Sequence, residues 1–222
     1  DRGRNALDAS IAALESNFWS VWHQFGRAPG CSLHERGGAV WFETPLTVPP
    51  YNMVIRFSGG TDATIDAIFD RFRERKVPLL WVVHPSAPAD LPQRLTARGL
   101  AEVEEIAGMV ASLSDLPAMP PVPASLCVHT VTPDHDFAPF MEYVAARWEV
   151  PAAERTQLTA IVGSFCVGGE RSPTRAWLIV KDDKSSPRPV RTTRKTSSAS
   201  TASRPSRKPA ASASRGWCAS RP

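Results

Sequence analysis

Apolar positions recur along this chain in two periods, and the switches between them mark out its elements. From Leu7 to Phe25, the residues Ile11, Leu14, Phe18, Val21, Trp22 and Phe25 fall three and four apart, which places them on one stripe of a helix. Trp19 lies off that stripe and is read as packing at the helix edge rather than as a ligand contact. Gly26-Arg-Ala-Pro-Gly30 stops the helix. Residues 39–43 and 51–57 then read as strands, separated by a connection through Pro45, Pro49 and Pro50. Asp62 to Lys76 is a second amphipathic helix with Ile65, Ile68, Phe69 and Phe72 inward. Pro78-Leu-Leu-Trp-Val-Val83 is a short unbroken apolar run, β-branched and aromatic, as a strand buried on both faces requires. Asp90 is the expected cap of a short helix along Leu91, Leu95 and Arg98, which Gly99 ends. The chain returns through Ala101 to Ala107 toward a further strand expected at Met109 to Leu113. Strand, short helix and strand in so few residues make an α/β unit.

The proline-dense stretch Ser114 to Pro123 is semi-rigid and predicts a domain boundary. Beyond it, residues 126–131 alternate like a strand. Two helices follow, over 134–150 and 152–165, and then a strand over 176–180. The expected organisation is a domain over 1–116, a linker over 117–124, a second domain beginning at 125 and stopping at 184, and a tail over 185–222. The expected fold class is mixed α/β (α+β) with flanking helices; that the sheet is mainly antiparallel, and that a truncated second domain of the same kind precedes a disordered tail, is what the resemblance given below implies.

Charge changes that picture only at the tail. The chain carries a formal +4, yet residues 185–222 hold seven Arg and two Lys with no acidic residue, so the first 184 residues stand at −5. The tail has almost nothing apolar to bury. Cys31, Cys127, Cys166 and Cys218 form no C-x-x-C pair, which argues against a zinc ribbon or disulfide scaffold. The first residues hold no apolar core of signal-peptide length, and no later apolar run reaches membrane-spanning length. A soluble, cytoplasmic protein is the expectation.

Candidate chemistry is sparse. Ser58-Gly-Gly-Thr61 before a helix invites a phosphate-loop reading, because free N–H groups at a helix start attract anions. No G-x-G-x-x-G and no following Lys-Ser/Thr completes it, and Asp62 would repel a phosphate, so a plain turn capped by Thr61 or Asp62 is expected. His129, Asp134, His135 and Asp136 have metal-ligating side chains but no fixed spacing to a further ligand. The acidic pair is read as capping the next helix. Tyr51, Glu149 and Glu154 are conceivable acid–base residues with no partner visible in sequence, and are read as structural or solvated.

Gly26-Arg-Ala-Pro-Gly30, Trp41-Phe42, Tyr51-Asn52 and the stretch from Leu80-Trp81 through Pro88-Ala-Asp90 to Leu100 together resemble the N-terminal half of tandem GNAT proteins, the Gcn5-related N-acetyltransferases. The resemblance covers about Leu7 to Leu116. It implies transfer of an acetyl group from acetyl-CoA to an amine of a small molecule or peptide. In that family an R/Q-x-x-G-x-G/A turn opens the helix after the fourth strand and holds the acyl-CoA pyrophosphate, and the site also needs splayed fourth and fifth strands. Here Ser58-Gly-Gly-Thr-Asp62 stands at that position and departs from the pattern. The resemblance therefore implies a degenerate copy with no cofactor-binding residues, and no catalytic residue is assigned.

The tail has two readings. As a basic arm it would neutralise phosphates on nucleic acid, giving a non-enzymatic binding protein. The genetic code offers the other. When each codon is shifted back by one base, the first two bases of each residue become the last two of the recovered codon. Ala then permits Gly, Ser permits Ile, Val and Leu, and Thr permits Tyr. From Ser198 onward the tail permits G-I-Y-G-V-A-T-K-P-E-A-R-G-L-G-L-A-R-M-V, a strand followed by R-x-x-G-x-A. That order resembles the GNAT acyl-CoA motif, and it places an apparent frameshift near Lys184. Under this reading the chain lacks regular structure beyond Lys184 and leaves Trp177-Leu-Ile-Val180 as a bare sheet edge.

Overall fold

The computed structural model describes residues 2–112, 115, 117–118, 120–166, 174–181, 195–197 and 213–219, with backbone alone for 2–6, 195–197 and 213–219. Along the chain run α1 (Arg2–Arg27), β1 (Ser32–Arg36), β2 (Ala39–Glu43), β3 (Met53–Phe57), α2 (Asp62–Arg75), β4 (Leu79–Val83), α3 (Leu91–Thr96) and β5 (Ala101–Ala107). Then come β6 (Leu126–Thr130), α4 (Phe137–Arg147), a 3₁₀ turn, α5 (Arg155–Cys166), β7 (Trp177–Lys181), β8 (Lys195–Ser197) and β9 (Ala213–Ala219). They group into two units, residues 1–110 with 206–222, and residues 111–205.

The first unit is a six-stranded sheet in the order β1-β2-β3-β4-β9-β5. Only β3 and β4 run parallel; every other neighbouring pair is antiparallel. Strands β2 and β4 are apolar on both faces because helices cover both. On one face Phe18, Trp19, Trp22 and Phe25 of α1 pack on Val40, Phe42, Met53, Ile55 and Val82. On the other, Ile65, Ile68, Phe69 and Phe72 of α2 and Leu91 and Leu95 of α3 pack on Trp41, Val54, Phe57 and Trp81. Trp81 is fully buried at the centre of this layer. The architecture is mixed α/β with a mainly antiparallel sheet and flanking helices; periodicity predicts the helices and strands, and the antiparallel sheet is what the resemblance implies.

Several expectations change at their edges. Helix α1 begins earlier than Leu7. Strand β1 is missed by the apolar pattern because only Leu33 in it is apolar; Gly37 and Gly38, both at positive φ, turn it tightly into β2. The strand after α3 is Ala101–Ala107 itself, and residues 109–112 hold none. Its three glutamates suit it to an exposed strand at the end of the sheet, where side chains face water. Asp90 occupies the cap position of α3 but makes no side-chain cap bond. Gly99, at φ 85°, closes the α3 segment as expected.

The tail expectation also needs correction. Residues 195–197 and 213–219 are strands, β8 on β7 and β9 between β4 and β5. Sheet pairing needs only the backbone N–H and C=O groups that every non-proline residue carries, so a polar stretch can supply it. Trp177 to Ile179 is therefore paired on both sides, with β6 and with β8, and is not a bare edge.

The second unit is a three-stranded antiparallel sheet in the order β6-β7-β8 with α4 and α5. Its buried apolar residues include Phe140, Met141 and Ala145 of α4, Leu158, Ile161, Val162 and Phe165 of α5, and Leu178 of β7. No described helix is long and apolar enough to cross a membrane.

Candidate functional site

The parallel pair β3/β4 is the natural place to look for a site, because parallel strands whose pairing is brief leave a gap beyond it. Their register covers only Met53↔Leu80 and Val54↔Trp81. Past Trp81 the gap is filled from within. His84, the residue that follows β4, is 4% exposed, and its Nε2 lies 2.9 Å from the Ile55 carbonyl oxygen on β3. The Trp19 Nε1–H points at the same nitrogen from α1, at 3.2 Å. One nitrogen cannot donate to Ile55 and accept from Trp19 at once. The shorter bond to a buried carbonyl assigns the Nε2–H tautomer.

Aromatic rings hold that imidazole in place. Phe18 and Trp19 meet it edge-on at centroid distances of 5.0 and 5.6 Å. Burial pushes the His84 pKa down, while the Glu15 charge and the bond to Ile55 push it up; the net direction is down. Glu15 is itself 2% exposed and its Oε1 accepts the Ser86 backbone N–H at 3.0 Å, tying α1 to the turn after β4. The end of the β3/β4 gap is thus closed by α1 and His84.

The turn between β3 and α2 is closed too. Thr61 caps α2, its Oγ1 accepting the Thr64 N–H, and its carbonyl accepts from Thr64 and Ile65. The capping expected at Thr61 is present. Asp62 bonds Arg94 Nε at 2.8 Å, Arg94 also donates to the Gly60 carbonyl at 3.0 Å, and Arg98 pairs with Asp66. Hydrogen bonding from Arg98 holds the Asp66 carboxyl below its usual range. A Cβ on Gly60 would stand 2.4 Å from the Gly37 carbonyl oxygen, so the turn sits hard against the β1–β2 hairpin. An incoming phosphate would meet two carboxylates, and the arginines beside them are already paired.

A third polar group lies at the end of β2. Glu43, 6% exposed, takes two bonds from Arg71, a 3.3 Å contact from Arg75 and a 3.1 Å bond from Trp41 Nε1. Burial alone would raise its pKa; the Arg71 and Trp41 bonds and the two guanidinium charges outweigh that and hold it below the usual carboxylate range. Arg75 also donates to the Thr44 carbonyl and to Asn52 Oδ1, which fastens the connection from β2 to β3. A groove of about 640 Å³ opens beside this cluster between β1, β2 and α2, lined by His34, Trp41, Thr64 and Arg71 among others.

The remaining sequence candidates fall elsewhere. Tyr51 is 2% exposed and packs on Phe25, and burial pushes its pKa up, so it is structural. Glu149 follows α4 at φ 51°, exposed, and Glu154 lies in the 3₁₀ turn. Cys31, Cys127 and Cys166 are free thiols, and burial pushes Cys31 and Cys166 up to about 11.

In the second unit the structure corrects the reading of the His–Asp residues. Asp136 stands at the cap position of α4 but makes no side-chain cap bond. It sits instead at φ 64°, where its Oδ2 lies 2.7 Å from the Nδ1 atoms of both His129 and His135. The fourth residue, Asp134, is outside this group.

With this geometry in hand, comparison adds little. No protein family matches the chain, and no curated protein matches it in sequence. A solved structure described as a GCN5-related N-acetyltransferase from Kribbella flavida is similar. It shares 16% identity at a TM-score of 0.46, over 76% of this chain and 63% of that one. At that level the likeness assigns neither activity nor site, and this chain spans less than two thirds of the other's length.

Sequence reasoning missed Glu15 and His84. Glu15 did leave a signal, since it interrupts the α1 stripe four residues after Ile11 and three before Phe18. His84 left none beyond its place at the end of the most apolar strand.

Proposed function

We propose that the first unit is a degenerate GNAT-like domain that does not bind acetyl-CoA, in a chain whose intact counterpart transfers acetyl groups from acetyl-CoA to an amine. One observation carries this reading. Strands β3 and β4 flank α2 as the family's fourth and fifth strands flank its cofactor helix, and the gap between them is bridged by His84 on the Ile55 carbonyl, so the protein's own side chains occupy the space that the resemblance would leave for acetyl-CoA. The Thr61–Asp62 turn supports it, because Thr61 caps the Thr64 N–H at the helix start and the Asp62 carboxylate repels the pyrophosphate. The second part of the proposal concerns the coding frame: the parent's acyl-CoA turn lies one base away from the frame that reads residues 198–222, and this polypeptide acetylates nothing.

Two measurements test these parts separately. Isothermal titration of the full chain with acetyl-CoA should show no heat of binding. Micromolar affinity would mean that the first unit opens into a working site and that the proposal is wrong. Sequencing the DNA around the Lys184 codon should show codons that permit G-I-Y-G-V and R-G-L-G-L-A one base away; codons that forbid either string remove the frame reading.

A further inference from the structure

We propose that His129, His135 and Asp136 form a binding site for a zinc-type divalent cation, with water completing its coordination. The residues come from two places in the second unit. His129 lies on β6, and His135 and Asp136 lie in the short turn that leads into α4. The turn is held by reciprocal backbone bonds, Thr132 N–H to the His135 carbonyl at 2.9 Å and His135 N–H to the Thr132 carbonyl at 3.1 Å. These bonds close the turn two residues after β6 ends, and the three side chains converge.

The donor set and its spacing point to the metal. The two imidazole Nδ1 atoms each lie 2.7 Å from Asp136 Oδ2, and all three ligand atoms lie within 4.8 Å of one another. Two nitrogens and one carboxylate oxygen suit zinc and its first-row neighbours rather than magnesium or calcium, which take oxygen shells. Ligand bonds of about 2.0–2.2 Å in a tetrahedral array put donor atoms about 3.3–3.6 Å apart, so each histidine has to withdraw from Oδ2 by about 0.6–0.9 Å while the two imidazole nitrogens, within 4.8 Å of each other, settle at the same spacing.

The exposures fit that adjustment. Asp136 is the fixed member, its side chain 12% exposed, whereas the His129 and His135 side chains are 37% and 68% exposed and have room to turn. His135 faces solvent, which leaves the remaining coordination position open to water, the arrangement of three-ligand zinc sites. The carboxylate is also available: Asp136 occupies the cap position of α4 without capping it, and instead adopts a left-handed backbone that turns its side chain toward the histidines.

The test uses the full chain and cobalt(II) as a spectroscopic stand-in for zinc. Wild-type protein should take up cobalt with a visible d–d band of tetrahedral intensity, displaced by zinc and untouched by excess magnesium. His135→Ala removes an exposed side chain, and Asp136→Asn keeps a residue that tolerates the left-handed backbone, so both variants should keep the wild-type circular dichroism. Each should weaken cobalt binding by roughly 100-fold or more, beyond the loss caused by removing a mere outer-sphere partner. No cobalt band in the wild type, or a band equally strong in both variants, overturns the proposal. If Asp136→Asn fails to fold, His135→Ala alone decides between these outcomes.

Discussion

Replacing His84 by Phe would separate what its ring fills from what its nitrogen binds. Phenylalanine keeps a ring between Phe18 and Trp19 but donates nothing to the Ile55 carbonyl, which lies beneath a residue 4% exposed. A buried carbonyl left unpaired costs about 1–3 kcal/mol, and little is regained because the ring contacts already exist. Stability should fall by that amount in urea unfolding followed by tryptophan fluorescence. The wild type also has a pH signature. Burial holds the folded His84 below the 6.5 of an unfolded histidine, so the unfolded chain binds the proton first as acid is added. The stability associated with neutral His84 is complete above about 6.5 and is lost as pH falls from there toward the lower folded value. His84→Phe should flatten that slope, leaving the smaller contribution of half-buried His23, whose pKa is also lowered by burial. A variant within about 0.5 kcal/mol of wild type, a change no larger than ordinary surface substitutions give, would refute the bridge. So would an unchanged pH slope.

Glu43→Ala should destabilise by about 2–3 kcal/mol, less than the loss from a fully buried pair, because Arg71 is half-exposed and can turn to water. In the wild type, the stability lent by Glu43 is full above its unfolded value of 4.5 and lost as pH falls through its lower folded value, and the variant should lose that acid-side slope in urea titrations. Gly60→Ala should lower the thermal midpoint by several degrees, since the new methyl meets a backbone oxygen at 2.4 Å; an unchanged midpoint would show that the β1–β2 hairpin yields easily. Alkylation of Cys31 and Cys166 at pH 8 should be far slower than that of a free thiol, because thiols held near 11 supply little thiolate.

What was legible in the chain followed from periodicity. The apolar run at 78–83 gave β4, and the three-and-four spacing of Ile65, Ile68, Phe69 and Phe72 gave α2, because burial on a helix-covered sheet imposes those patterns. Strand β1 was not legible, since Ser32-Leu-His-Glu-Arg36 buries little and owes its place to pairing with β2. Strands β8 and β9 were illegible for the same reason in stronger form: their pairing runs through the backbone, and the sequences Lys-Thr-Ser and Ala-Ser-Arg-Gly-Trp-Cys-Ala carry no alternating apolar pattern to announce it. The site residues followed a similar division. The capped turn at Thr61 and Asp62 was visible because it is local. The closing of the β3/β4 gap was not, because it joins Glu15 by a hydrogen bond and Trp19 by a ring contact to residues about seventy and sixty-five positions away.

Strand β9 gives the first sheet an unusual timetable. It pairs with β4 on one side and β5 on the other, so the centre of that sheet cannot be completed until residue 219 has left the ribosome. Roughly 100 residues separate β5 from β9, which at about 5–20 residues per second leaves both flanking strands unpaired on those sides for roughly 5–20 s. During that interval the nascent chain presents two backbone ladders with no partner, one of them on the apolar strand around Trp81. A chaperone that shields such ladders should engage this protein as it is made and release it once residue 219 is free.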